Sequence, residues 1–250
     1  MNSRARFWLV GMAALVGVGL TLSLGRWQLQ RAAYKESLAE QVQSRAALAP
    51  LSQDALLALE PDALPSQAQR RTVLRGVWLP QHTVALDNRQ MLDKQGFFIM
   101  TPLQLDAAGA GAVVLVQRGW LPRNFLQRDA LLPFETPAGA VEVAGTIALT
   151  PARLYEFDAA EKGRIRQNLD IASYRSETGL ALRDFMLVEQ GPAAEGLLRV
   201  WPAPNLGIER HYGYAFQWFS LAALIAGLYF WFQWLRPRWR AKDQLPDAPT

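Results

Sequence analysis

The segment "YGYAFQWFSLAALIAGLYFWFQWL", residues 212–235, contains 24 consecutive residues without a charge. A helix needs about 20 apolar residues to cross the hydrocarbon core of a bilayer, so this segment is long enough to span a membrane. Its Trp and Tyr residues suit the two membrane interfaces, where amphipathic aromatic rings are enriched. The sequence therefore predicts a transmembrane helix over residues 212–235.

A second apolar segment, "FWLVGMAALVGVGLTLSL" at residues 7–24, runs for 18 positions without a charge. It is longer than the apolar region of a usual secretory signal, and the following "GRWQLQR" offers no small-x-small cleavage site. We interpret residues 7–25 as an uncleaved transmembrane anchor. The chain is thus expected to cross the membrane twice.

The distribution of charge indicates the orientation of these two helices. The sequence pI is about 9.6, but the segment from Arg26 to Arg210 carries 20 basic and 20 acidic residues. The formal excess of +4 comes from short basic flanks next to the helices, which is the positive-inside pattern and does not indicate nucleic-acid binding. Residues 1–6 and 236–250 are therefore expected in the cytoplasm. Residues 26–210 are expected to form a domain on the other side of the membrane.

The chain has no cysteine. This excludes disulfide bonds, covalent c-type haem attachment and thiolate sites for zinc, copper or iron–sulfur clusters. The five Met residues do not cluster in the sequence, so a thioether copper site is not favoured either. The sequence predicts no metal site apart from what a histidine could ligate.

Between the two membrane segments the pattern changes from helix to strand. Residues 26–48 are strong helix formers without Pro and are expected to continue the first helix, and residues 51–60 predict a short helix between two prolines. Apolar, β-branched runs bounded by turn residues then predict strands over residues 70–79, 82–87, 96–105, 112–122, 139–149, 184–191 and 197–202. A segment that mixes polar and apolar residues predicts one more helix over residues 169–179. We therefore expect a membrane α+β protein, in which two transmembrane helices flank a β-rich extracytoplasmic domain built as an antiparallel sheet or barrel.

Catalytic motifs are missing from the sequence. It has no nucleophile elbow, Walker loop, dinucleotide fingerprint or HExxH pattern, and its two histidines, His82 and His211, are 129 positions apart. We interpret His82 as structural and the protein as a non-enzyme. A membrane-anchored enzyme acting on lipid or cell wall is the alternative, and it would require His82 to meet an Asp and a Ser in space.

Two residues are candidates for binding a cofactor. His211 stands at the start of the second membrane helix and would share a face with Ala215 and Trp218, so it is either an axial haem ligand or an interfacial side chain. Arg118, in the triplet Arg118-Gly119-Trp120, either ends a strand inside the domain or pairs with a carboxylate such as a haem propionate. The residues alone leave both questions open.

Six motifs, taken in order, resemble one known family. They are "LGRWQLQRAAYKESL" after the first membrane segment, "RTVLRGVWL", "GFFIMTPLQL", "VVLVQRGWLPR", "VEVAGTI" and "PNLGIERHYGYAFQWF" before the second. Together they are similar to the surfeit-locus family of cytochrome c oxidase assembly factors, over residues 25–234. The resemblance implies a non-catalytic protein that assists the placement of haem a in the catalytic subunit of the oxidase. It also implies that His211 of this protein is its candidate haem ligand.

The resemblance also implies partners and a location. The expected partners are the oxidase catalytic subunit, the haem a synthase and the lipid bilayer, and Arg side chains such as Arg118 would neutralise the haem propionates. The short basic N-terminus indicates a bacterial inner-membrane protein with a periplasmic domain. A chaperone that binds oxidase subunits without touching haem is the alternative. The membrane helices are expected to pair through small residues, namely Gly11, Gly17 and Gly19 with Ala222, Ala226 and Gly227.

Overall fold

The computed structural model describes residues 3–106, 111–124, 127, 130–154, 163–201 and 207–238. The chain forms two compact units, one of Met1–Glu40 with Pro204–Thr250 and one of Gln41–Ala203. We call the first the helix unit and the second the barrel unit. Most of the predicted cytoplasmic tail and the Gly-rich turn between the third and fourth strands lie outside the described residues. The predicted membrane limits and cytoplasmic ends stay predictions.

The helix unit contains two long helices. Helix α1 spans Ser3–Ala47, and its residues up to Glu40 belong to this unit. Helix α5 spans Ile208–Phe230 and is continued by a π-helical turn over Trp231–Leu235. Both are long and apolar enough to cross a membrane, which indicates a membrane-anchored protein. The uninterrupted α1 also confirms that the first apolar segment continues as a helix to about residue 48.

The two helices pack antiparallel through glycines of α1. A Cβ added at Gly25 would lie 2.7 Å from the ring of Phe219, and one at Gly11 would lie 3.1 Å from the hydroxyl of Tyr229. Gly17 faces Ile225 at 3.5 Å. The absence of side chains on α1 therefore makes room for bulky side chains of α5, since close approach drives helix packing in lipid.

The expected small-residue pairing is confirmed only in part. Ala222 is buried and Gly11 and Gly17 lie in the contact, but nothing described lies within 4 Å of a Cβ at Gly19 or Gly227, and Ala226 is exposed. Residues that are two apart along a helix point in directions about 200° apart, so Gly19 faces away from the contact that Gly17 makes. Including these three residues in the interface was wrong.

The barrel unit is built from seven strands. They are β1 (Arg71–Trp78), β2 (Val84–Met91), β3 (Lys94–Leu105), β4 (Val113–Pro122), β5 (Ala140–Ala148), β6 (Ile165–Arg166) and β7 (Leu182–Glu189). The sheet order is β1-β5-β7-β4-β3-β2-β6, and an extra pairing of β1 with β3 closes five of the strands into a barrel. Strands β2 and β6 extend the sheet beyond β3. Short helices α2 (Gln53–Leu57), α3 (Leu64–Gln67) and α4 (Ile171–Thr178) accompany the strands.

Barrel closure depends on Gly76. This residue pairs with Leu105 where β1 meets β3, and a Cβ there would lie 2.1 Å from the carbonyl oxygen of Gln104. No side chain fits at that distance, so glycine allows the two backbones to approach. The closed barrel confirms the predicted β-rich domain.

The observed strands differ from the sequence predictions at three points. The predicted closing strand at 197–202 does not form over its described residues, 197–201; Leu198 makes only an isolated bridge to Trp120 of β4. Two pairs, β4 with β7 and β2 with β6, are parallel, so the sheet is mixed. Strand β6, with two residues, has no counterpart among the predicted strands, because so short a run has no periodicity to detect.

Candidate cofactor site

His211 lies in the first turn of α5, after Gly207 with φ 60° has turned the chain into the helix. Its ring is half-buried, and its Nδ1 lies 2.7 Å from Oε1 of Gln28 on α1. Further along α1, the hydroxyl of Tyr212 donates to Oε1 of Glu36 at 2.9 Å. These two hydrogen bonds join the helices at the end where α5 begins.

The contact with Gln28 suits one tautomer of His211. An amide oxygen accepts hydrogen bonds and donates none, so with Oε1 facing the ring the tautomer that makes this bond carries its proton on Nδ1. Nε2 then keeps its lone pair and can ligate a metal. Metal-ligating histidines in proteins almost always donate the other ring N–H to an oxygen acceptor in this way.

Three cations lie near enough to this imidazole to act on it electrostatically. Lys35 and Arg31 of α1 and Arg210 of α5 all act electrostatically on His211, and the Arg31 guanidinium lies over the ring of Trp27 at 5.6 Å. The site thus combines a neutral nitrogen ligand with clustered positive charge. That combination fits haem, which offers an iron for the imidazole and two propionates for the cations.

Sequence reasoning identified His211 but missed its partner. In the sequence, Gln28 stands out only as a neighbour of Trp27 at the end of the first span. Nothing there pairs it with a histidine 183 positions later, and only the antiparallel register of α1 and α5 brings the two together.

Arg118 lies in the barrel unit and is completely buried. Its guanidinium donates to Thr136 Oγ1 at 2.7 Å and to the carbonyl of Glu135 at 2.9 Å, and it pairs with the carboxylate of Glu195. It also lies over the ring of Trp78 at 4.7 Å. A propionate at Arg118 would therefore have to displace Glu195, and the assignment of Arg118 to a cofactor stays a prediction.

A second buried pair adjoins Arg118. Glu189 bonds to Arg199 at 2.8 Å, and Arg199 also contacts Glu195. Burial raises the pKa of the Glu189 carboxyl to about 7, although Arg199 opposes the shift. These four side chains form one ionic network inside the barrel unit.

His82 ends a short 3₁₀ turn over Pro80–His82, and its carbonyl accepts a hydrogen bond from Tyr174. Among the described residues no group of three or more His, Asp and Glu is arranged to hold a metal ion. The cluster of His82 with Ser and Asp that a hydrolase would need is not found among the described hydrogen bonds. The enzyme alternative therefore gains no support.

Comparison with known proteins identifies relatives over most of the chain. Residues 15–223 match the family model described as the SURF1 family. The chain is 25% identical over 241 residues to a SURF1-like protein of Drosophila melanogaster, covering 88% of this chain and 76% of that protein. It is 26% identical over 225 residues to a SURF1-like protein of Rickettsia bellii, covering 87% and 88%. Surfeit locus protein 1 of Arabidopsis thaliana matches at 29% over 135 residues, which is 51% of this chain and 38% of that protein.

Proposed function

The chain belongs to the SURF1 family, and we propose that it assists the insertion of haem a into the catalytic subunit of a haem–copper cytochrome c oxidase. Proteins of this family are known in general as cytochrome oxidase assembly factors and not as catalytic enzymes. The finer proposal is that the helix unit holds haem transiently during assembly.

The single observation that carries this proposal is the hydrogen bond between His211 and Gln28. An imidazole that donates its Nδ1–H to Gln28 would be held in one orientation, and its Nε2 could ligate iron without a proton having to leave. Haem, when bound, would supply the iron that the oxidase later uses. Gln28 is the positioning residue of the site.

The surrounding cations would hold the propionates. Arg31, Lys35 and Arg210 lie near enough to act on the imidazole, and a carboxylate that accepts charge-assisted hydrogen bonds from such groups is held in a defined orientation. Because these side chains are at one end of two apolar helices, haem would lie at a membrane surface. A bacterial inner membrane with the barrel unit in the periplasm agrees with the basic flanks of the chain, and the oxidase catalytic subunit and the haem a synthase are the proposed partners.

The test is a spectral titration of the detergent-purified full chain with haem. The wild type should give the absorbance bands of a ligated haem, His211→Ala should lose the histidine-ligated bands, and Gln28→Ala should bind about tenfold more weakly because the imidazole is no longer oriented. His82→Ala is the matched control, since it removes the other histidine of the chain and should titrate like the wild type.

Two results would contradict the proposal. If no variant takes up haem, a protein-only chaperone of oxidase subunits becomes the better explanation. If His211→Ala and His82→Ala bind equally well, haem is bound elsewhere and His211 is an interfacial side chain. Measuring oxidase assembly in cells expressing His211→Ala separates the haem-carrier proposal from a protein-only chaperone, because a protein-only chaperone should still assemble the enzyme.

A further inference from the structure

A cleft of about 1530 Å³ lies in the barrel unit, between the β2–β6 end of the sheet and the segment 130–136. Pockets for small ligands are usually about 300–1,000 Å³, so this cleft is larger than a small molecule needs. Its residues belong entirely to the barrel unit, whereas the proposed haem ligand lies in the helix unit. The proposal for this cleft therefore does not rest on the proposed haem ligand.

One wall of the cleft is apolar. The cluster of Ala85, Phe97, Ile99, Leu121 and Leu197 is buried, but the hydrophobic residues packed against it are only partly buried. All four of these covering residues, Leu131, Leu132, Phe134 and Ile165, line the cleft. They cover the cluster and are themselves partly exposed on the cleft side, so further apolar side chains placed against them would gain burial.

Strand β6 brings to the same cleft a backbone edge that pairs with no other strand in the described part of the chain. The carbonyl of Arg164 accepts from the amide of Ala85, and Ala85 and Leu86 pair in parallel with Ile165 and Arg166. Backbone groups of successive strand residues point to opposite sides, so the N–H and C=O of Ile165 point away from β2. In the described part of the chain, β6 is the last strand of the sheet on this side.

The polar wall carries positive charge. Arg123 pairs with Asp87, whereas the exposed Arg164 makes no side-chain hydrogen bond or ion pair with the residues that the structure describes. Arg118 holds the facing segment by bonding Glu135 and Thr136 from behind. The cleft therefore combines a segment held by Arg118, the guanidinium of Arg164, which has no partner among the described residues, and the edge of β6.

We propose that this cleft binds an extended, acidic segment of a partner protein, which adds as a strand beside β6. Its backbone would pair with Ile165, alternate apolar side chains would pack on the four partly buried hydrophobic residues that line the cleft, and a carboxylate would pair with Arg164. Strand addition to a sheet edge is a common mode of peptide recognition, with affinity from the main chain and specificity from alternate side chains. Charge complementarity selects an acidic over a basic segment.

The test uses the full chain in detergent and a fluorescein-labelled peptide of four Glu-Val repeats, with binding followed by fluorescence anisotropy. A peptide of four Lys-Val repeats should bind about tenfold more weakly. A Glu-Val peptide N-methylated at alternate amides keeps its side chains but cannot pair with a strand, and it should also bind about tenfold more weakly. Arg164→Glu should weaken Glu-Val binding at least about fivefold, whereas Arg71→Glu, an exposed arginine on β1, should leave it unchanged.

Several results would overturn the proposal. Equal binding of the acidic and basic peptides, or equal losses in Arg164→Glu and Arg71→Glu, would remove the charge argument. Unchanged binding of the N-methylated peptide would exclude strand addition. If neither peptide binds but oleate binds in a way that Arg164→Glu abolishes, the cleft is a site for an anionic amphiphile instead.

Discussion

Replacing Arg118 by Met should destabilise the barrel unit strongly. Arg118 is completely buried, and its guanidinium serves Thr136, the carbonyl of Glu135 and the carboxylate of Glu195. Methionine fills much of the same volume, but it leaves all three acceptors without their donor. Glu195, with 21% of its side chain exposed, would keep only Arg199 as a cationic partner among the described residues.

The expected cost follows from burial. Removing one partner of a buried ion pair costs about 3–5 kcal/mol, because the other charge is left uncompensated. The pair of Arg75 with Glu142 has the same chemistry, but its side chains are 70% and 56% exposed, and such pairs contribute about 0–1 kcal/mol. Arg75→Met is therefore the matched control. For a unit of this size the difference corresponds to a fall in Tm of roughly 10 °C.

Thermal unfolding of the full chain in detergent, followed by tryptophan fluorescence, measures this difference. Trp78, which lies beneath Arg118 at 4.7 Å, and the buried Trp120 report on this region. Equal unfolding temperatures for Arg118→Met and Arg75→Met would refute the structural role of the buried ion pair. If Arg118→Met loses haem uptake while remaining stable, Arg118 serves a propionate and not the fold.

Three further perturbations have definite outcomes. Gly25→Leu should disrupt the pairing of the membrane helices, because a side chain at this position would meet the ring of Phe219 within 3 Å. Cross-linking between cysteines placed on α1 and α5 should therefore fall in Gly25→Leu and stay unchanged in the control, Gly19→Leu. Equal cross-linking in the two variants would disprove the packing. Burial raises the pKa of Glu189 from 4.5 to about 7, so the folded state binds more protons than the unfolded state between these pH values. The stability of the protein should therefore decrease as pH rises through that window. Glu189→Gln should remove this pH dependence, and a urea midpoint that varies with pH in the variant as it does in the wild type would contradict the prediction. Asp170 caps α4, and the Ser173 amide lowers the pKa of its carboxyl. Asp170→Ala should lower the free energy of unfolding by about 1 kcal/mol at neutral pH, and in the wild type this stabilisation should be lost as pH falls through the lowered pKa. A difference between the two proteins that does not shrink in acid would be inconsistent with the cap.

Elements with long, regular patterns were predictable from the sequence. The two apolar segments, the continuation of α1 and strands such as β4, with nine of its ten residues buried, are each recognisable from a run of one residue type. Helix α4 carries an N-cap Asp and a following Gly179 at φ 68°, which are ordinary boundary signals.

Features that depend on tertiary contacts were not predictable in this way. Residues 197–202 have the composition of a strand, but Leu198 finds only one bridge, to Trp120, in the described part of the chain. Five strands that close into a barrel cannot all pair antiparallel, so the closure of the barrel leaves one pair, β4 with β7, parallel. The bond of His211 to Gln28 depends on the register of two helices, which the spacing of residues along one helix does not determine.

An optical spectrum tests most directly whether His211 ligates haem. The detergent-purified full chain would be produced together with the enzymes of haem a synthesis, beside its His211→Ala variant. If His211 is the ligand, the wild type should show a haem spectrum that shifts or disappears in the variant. Identical spectra in the two proteins, or no haem in either, would contradict that role.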